Sequence, residues 1–335
     1  MGAIIDKIEY VFPRKKITNE DLLNEFPDYD FLKFEKKIGI ESRYIVDEDE
    51  TALDLAVKAC EKLFAGNVDK SEIDFILFCT QSPEYFLPTS ACILQDKLLL
   101  RKNIGALDFN LGCSGFTYGL ILAKGLIASN QAKKVLLVTA ETYSKFIHKK
   151  DRINRSLFGD AAAATLISYS EENNIKEFLC GSDGSGFDKL IVKNGASRNK
   201  FNPNCIVREY GSGNKYSDNH LYMNGPEVFN FTASVIPKFT KELLKKNSLE
   251  SDQIDQYIFH QANAFMLNFM RKRIKIEEEK FYINLKNSGN TVSCTIPIAL
   301  KDYSKKIVSS EKIMLVGFGV GLSWSGGLIT INKSL

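Results

Sequence analysis

The sequence predicts an α/β protein assembled from two duplicated halves. Three observations predict it. Short words recur in the same order at a nearly constant spacing. Apolar runs rich in β-branched and aromatic residues alternate with amphipathic helical patterns. The composition is that of an ordinary globular chain: of 335 residues, 44% are hydrophobic and 25% charged, which excludes a disordered polymer and leaves room for two halves with a common core. Lys and Arg (44) nearly balance Asp and Glu (41), so a dedicated nucleic-acid binder is not expected.

The recurrence comes first. IDFILFC at 73–79 returns as IDQYIFH at 254–260, NLGCSG at 110–115 as NLKNSG at 284–289, and KVLLV at 134–138 as KIMLV at 312–316. So long a period marks a duplicated domain, not a solenoid. The halves are placed at 1–175 and 176–335. In the first, a helical pattern at 52–65 precedes a buried strand at 75–79. A strand at 106–110 then feeds a helix at 118–129, and apolar runs follow at 135–139 and 161–167. In the second, a helix at 228–246 precedes a strand at 257–259, and a helix at 293–305 precedes a strand at 313–316. Strands this apolar imply sheets covered on both faces. Residues 180–225, rich in Gly, Asn and Ser, are expected to connect the halves and cover a pocket.

The stretch 313–332 carries no charge but contains Gly317, Gly319, Gly321, Gly326 and Gly327. It reads as two buried strands and a glycine-rich loop, not a membrane span. Asp6, Lys7 and Glu9 break the N-terminal apolar stretch, so no signal-peptide core forms. The cysteines number seven, with no C-x-x-C pair. They read as reduced thiols of a cytoplasmic protein, with neither a disulfide framework nor a metal site.

Three residues carry candidate chemistry. Cys113 lies in a small-residue turn between a strand and a helix N-terminus, where unpaired N–H groups and the helix dipole favour thiolate; the alternative is a small buried hydrophobe. His260 follows a strand end in FHQAN and suits a base or donor, or a satisfied core histidine. His148 sits among charges that suggest a solvated ring, and His220 lies in the polar connecting region. Asn290, in NSGNT before a helix, is either an N-cap or turn residue or an amide donor to developing negative charge. Gly317-Phe318-Gly319-Val320-Gly321 follows a strand, but too little chain remains after it for a dinucleotide fold. Close backbone approach to a site suits it better. No P-loop and no G-x-S-x-G elbow occurs.

Cys, His and Asn in this order resemble the 3-oxoacyl-[acyl-carrier-protein] synthase III family of condensing enzymes, within the thiolase superfamily. The matching words span nearly the whole chain: Gly39-Ile40 with Arg43, CSGFTYG from Cys113, Phe158-Gly159-Asp160-Ala161, Asn224-Gly225 with Glu227-Val228-Phe229, HQAN from His260, SGNT from Ser288, and the segment from Phe318 to Gly326. The resemblance implies a five-layered αβαβα thiolase-like fold and a homodimer. It implies that Cys113 takes an acyl group from a CoA or phosphopantetheine thioester. His260 and Asn290 then hold a malonyl thioester while it decarboxylates and attacks the acyl-enzyme. It also implies that the N–H of Cys113 and one N–H in the loop Gly319, Val320 and Gly321 form the hole for the acyl oxyanion. No metal or redox cofactor is implied.

The same resemblance places Lys37 and Arg152 at the mouth for CoA and Leu87 across the dimer interface at the acyl pocket. Lys33 and Phe265 depart from the family's stacking aromatic and basic residue, which makes a carrier-borne donor plausible. Ala161, Ala162 and Ala163 stand where the family repeats glycine. Arg271, Lys272 and Arg273 form a basic run that is either a solvated helix face or a docking surface for an acidic acyl carrier protein. Of three other readings, the second stays open and the residues speak against the other two. The 3-hydroxy-3-methylglutaryl-CoA synthase branch needs a Glu where Thr80-Gln81 stands. An acyltransferase or condensing enzyme of a secondary-metabolite or surface-glycan pathway would use the same three residues. A non-catalytic partner subunit would be expected to lack one of them.

Overall fold

The strand-forming runs pair into two sheets with matching order. The computed structural model describes residues 2–211, 213–332 and 334–335. In the first sheet the strands run Gly2–Val11, Ala161–Ser170, Lys134–Glu141, Phe75–Cys79, Gly105–Phe109. Phe75–Cys79 is parallel to both neighbours, and the other pairs are antiparallel. In the second sheet the order is Ile175–Ser182, Ser323–Ile331, Glu311–Gly319, Gln256–Phe259. The last pair is again parallel and the others antiparallel. Two of the three recurring words therefore occupy equivalent strands, and the third, at 110–115 and 284–289, lies in turns. A lone parallel bridge from Tyr257 to Phe281 marks the place of a fifth strand.

Helices complete five layers. Ala52–Phe64 and Ser90–Lys97 cover the outer face of the first sheet; Gly115–Ala128 and Thr295–Ser304 lie between the sheets; Gly225–Lys246 and Ala264–Ile274 cover the second. Burial on both faces explains why 161–168 is buried without interruption. The helix Ala52–Phe64 buries Ala52, Ala56, Ala59, Cys60 and Leu63, a helical spacing, and starts at a capping box between Thr51 and Asp54. The middle layer is one apolar cluster, with Leu77, Phe116 and Leu120 meeting Ile258, Ile296 and Leu315. It holds the two strand-to-helix turns of the site rigidly between the sheets.

Several boundaries differ from expectation for local reasons. The helix expected at 228 starts at Gly225, because the Asn224 side chain caps it and Pro226 is tolerated in a first turn. The helix expected at 293 starts at Thr295, after a 3₁₀ turn at Val292–Cys294. The uncharged run 313–332 is a hairpin of two buried strands, and among the described residues no helix is long and apolar enough to cross a membrane. The connecting segment is more ordered than a loop. It pairs Leu190–Ile191 with Tyr222–Met223 and Arg208–Tyr210 with Asn214–Tyr216; Ser212, between the latter two, lies outside the described residues. His148 is buried, not solvated, because this segment folds over it: the Leu221 N–H donates to the Phe146 carbonyl, and the His220 ring stands edge-on at 4.8 Å.

Candidate active site

Cys113 closes the turn between Gly105–Phe109 and the helix Gly115–Ala128, so its sulfur sits over a helix N-terminus. His260 leaves the end of Gln256–Phe259, its N–H bonded to the Val316 carbonyl at 2.8 Å. Asn290 sits in a turn anchored at both ends, with its N–H donating to Leu157 and its carbonyl accepting from Gly159. These buried residues line one cavity of about 480 Å³, together with Phe318 and Gly319. Lys37 and Phe265 line the same cavity and are exposed. The cavity is thus a largely apolar tunnel with its reactive end inside.

Local hydrogen bonds aim each group. Asn290 Oδ1 accepts from the Val292 N–H at 2.9 Å, which leaves the Nδ2 donors for the tunnel. His260 Nδ1 meets Thr295 Oγ1 at 2.7 Å, which leaves Nε2. Phe318 stands edge-on to the imidazole at 5.5 Å. Burial holds His260 neutral, with its pKa pushed down to about 3. Backbone N–H groups of Cys113 itself and of Val320 point to the sulfur. Gly321 has φ of 139°, which favours glycine, and the hydroxyls of Ser114 and Ser323 meet at 2.7 Å, pinning this loop to the Cys113 turn.

One electrostatic expectation is reversed. Burial, reinforced by the Glu141 carboxyl, pushes the Cys113 thiol up to about 12 and outweighs the two N–H groups that pull it down. Cys113 is therefore held as a thiol.

Other expected residues separate. Lys37 reaches the tunnel, but its ammonium lies 5.0 Å over the Phe265 ring. Arg152 does not line the tunnel; its guanidinium lies 4.5 Å over Tyr29. Lys33 is exposed, while the adjacent Phe34 lines the tunnel. Leu87 is 84% exposed and does not touch the cavity within one chain. The basic run is divided: Arg271 turns back onto Glu278 at 2.9 Å, whereas Lys272 and Arg273 are exposed. Arg43 and Asp160 are buried and structural. Arg43 bonds Asn19 and the Ser156 carbonyl, and Asp160 accepts from Val46 and Ser144.

Sequence reading missed Glu141 and Thr295, and took Gln81 only for the absence of a Glu. Glu141 is fully buried and accepts from the Gln81 N–H, Ser82 and Ser293. It ties the loop after Phe75–Cys79 to the turn carrying Asn290. Its one signal was a carboxylate ending an apolar strand.

Comparisons with known proteins show the family. Residues 107–184 match the family model for 3-oxoacyl-[acyl-carrier-protein (ACP)] synthase III, and residues 244–331 match the model for its C-terminal part. A beta-ketoacyl-[acyl-carrier-protein] synthase III of Clostridium perfringens is 38% identical over 325 residues, 96% of this chain and 97% of that one.

The chain belongs to the 3-oxoacyl-[acyl-carrier-protein] synthase III family.

Its solved relatives share the whole fold. A crystal structure of a 3-oxoacyl-(acyl-carrier-protein) synthase III, 44% identical, superposes with a TM-score of 0.96 and covers 99% of this chain and 100% of that one. A 3-oxoacyl-(acyl-carrier protein) synthase from Burkholderia xenovorans, 33% identical, gives 0.88 over 99% of this chain and 95% of that one. This synthase III chain is thus an acyltransferase of the condensing type on a thiolase-like fold.

Proposed function

We propose that this chain joins an acyl group, carried first on Cys113, to a malonyl unit on an acyl carrier protein. The observation that supports this most is the convergence of a buried thiol, an imidazole and a carboxamide on the inner end of one apolar tunnel.

In the first half-reaction the Cys113 sulfur attacks the donor thioester. The acyl–sulfur bond to the donor breaks, the bond to Cys113 forms, and the thiol proton ends on the departing pantetheine sulfur. The N–H groups of Cys113 and Val320 receive the tetrahedral oxyanion. Being fixed backbone donors in a site without bulk water, they need no reorganisation. In the second half-reaction His260 Nε2 and Asn290 Nδ2 donate to the malonyl thioester carbonyl. Carbon dioxide leaves, the enolate forms against these two donors, and its carbon attacks the acyl-enzyme. The Cys113 thiolate departs and takes up one proton. No metal or redox cofactor enters this sequence of steps.

The donor is proposed to be carrier-borne. The cations that the resemblance sets at a CoA mouth, Lys37 and Arg152, are seated on Phe265 and Tyr29. Lys272 and Arg273, with Lys238 and Lys241 near Arg273, remain for an acidic carrier protein.

A homodimer is proposed through the first sheet. Gly105–Phe109 pairs on one side only and shows Leu107, and beside it Tyr85, Phe86 and Leu87 are 60%, 82% and 84% exposed. A second copy would cover that edge. Seven free cysteines suit the reducing cytoplasm.

The test is to incubate the protein with acyl-CoA and acyl-carrier-protein thioesters and weigh the intact chain. One acyl group on Cys113, removed by malonyl-carrier protein, supports the reading. A chain that no thioester acylates contradicts it.

A further inference from the structure

The buried imidazole of His260 has one proton to place on two nitrogens. Its Nδ1 lies 2.7 Å from Thr295 Oγ1, and both side chains are buried. The Thr295 hydroxyl likewise has one proton and two acceptors within reach, Nδ1 and the Val292 carbonyl at 3.1 Å. The Val292 carbonyl already accepts the backbone N–H of Thr295, so it has no need of the hydroxyl. Of these two acceptors Nδ1 is the nearer, at 2.7 Å against 3.1 Å for the carbonyl.

We propose that Thr295 is a positioning residue whose hydroxyl donates to His260 Nδ1 and so fixes the ring proton on Nε2. This rests on the function proposed above, in which Nε2 must be a donor. With the proton on Nδ1, the Nε2 lone pair would face the developing enolate oxygen and repel it. The turn 290–295 then orients both donors: the Val292 N–H turns the Asn290 carboxamide so that Nδ2 faces the tunnel, and Thr295 selects the tautomer of His260.

The test is nitrogen NMR of the whole protein labelled with ¹⁵N-histidine. His148→Gln and His220→Gln identify the His260 signals by elimination. In the wild type, Nε2 should carry the proton and Nδ1 should be bare. Thr295→Ser should keep that signature, and Thr295→Val should move the proton wholly or partly to Nδ1. Thr295→Val should also lower kcat for condensation about tenfold to a hundredfold, the range for weakening one donor to an oxyanion. KM for malonyl-carrier protein and the rate of Cys113 acylation should change less than about threefold by the same argument, and Thr295→Ser should restore the rate. A wild-type ring protonated at Nδ1, or an unchanged tautomer in Thr295→Val, would overturn the proposal. If Thr295→Val does not fold, the wild type and Thr295→Ser still decide it. An Nε2–H ring in a protein that condenses nothing would count against the proposed function and leave the assignment of Thr295 standing.

Discussion

Gly319 lies directly against Cys113: a Cβ at position 319 would stand 3.0 Å from the sulfur and 2.9 Å from the cysteine Cβ. That contact brings the N–H of Val320 to the sulfur, so one missing methyl group sets the geometry of the proposed oxyanion hole. Gly319→Ala is expected to push the loop and Cys113 apart by a few tenths of an ångström. Because removing one oxyanion donor costs about a hundredfold to a thousandfold, the acylation rate should fall at least tenfold. Intact-mass time courses check this, and an unchanged rate would show that the loop takes no part.

Glu141 gives the protein a pH dependence of its own. Burial pushes its carboxyl up to about 8, against the pull of the Gln81 N–H, Ser293 and Ser82. The folded state therefore holds a proton that the unfolded chain has lost. Stability from this group is full below about pH 4.5, the ordinary carboxyl range, and is lost as pH rises through about 8. Glu141→Gln should flatten the alkaline side. Urea unfolding between pH 6.5 and 8.5 should show the wild type losing on the order of 1 kcal/mol per pH unit more than the variant. Parallel profiles would contradict this. The window lies above the range of Asp160, whose pKa is raised to about 6.

Donor choice should follow the aromatic rings that hold Lys37 and Arg152. Lifting a cation from such a ring costs about 0.5–2 kcal/mol, and a nucleotide phosphate must compete with that. Acyl-carrier-protein thioesters are expected to acylate Cys113 about tenfold faster than the matching acyl-CoA, 1.4 kcal/mol being about tenfold. Rising salt should narrow the gap by screening Lys272 and Arg273 from an acidic partner. Competitive acylation at two ionic strengths measures it. Equal use of short acyl-CoA, insensitive to salt, would refute it.

The exposed loop bearing Phe86 and Leu87 should lie inside a dimer. Phe86→Asp with Leu87→Asp is expected to weaken self-association at least about tenfold, since it sets unpaired charge in an apolar contact. Sedimentation across a dilution series is the readout. A wild type that stays monomeric throughout would contradict the dimer.

Residues whose surroundings are local were legible in the sequence. IDFILFC and IDQYIFH betray the duplication because strands buried on both faces must repeat the same apolar pattern. Cys113, His260 and Asn290 stand at strand ends and turns, where a reactive group in a short word is visible. Glu141 and Thr295 were not legible, because their meaning comes from partners distant in the chain: Gln81, Ser82 and Ser293 for one, His260 for the other. His148 was misread for the same reason. Its neighbours in sequence are charged, but its neighbours in space are His220 and a folded-back strand. The thiolate expectation for Cys113 weighed the helix dipole, which is local, and not burial, which is tertiary. Arg271 looked like one of three equivalent cations until the chain turned and set Glu278 beside it.

A single-turnover experiment with intact-mass detection decides whether Cys113 holds the acyl group while His260 and Asn290 support the carbanion. The protein is acylated, freed of donor and mixed with malonyl-carrier protein. The wild type should lose the acyl group from Cys113 as the carrier gains it in place of carbon dioxide. Cys113→Ala should fold yet never become acylated, and His260→Ala and Asn290→Ala should become acylated at least in part but fail to decarboxylate malonyl-carrier protein. Persistent covalent acylation of Cys113→Ala by the donor, or near-normal condensation in either of the other variants, would overturn these roles.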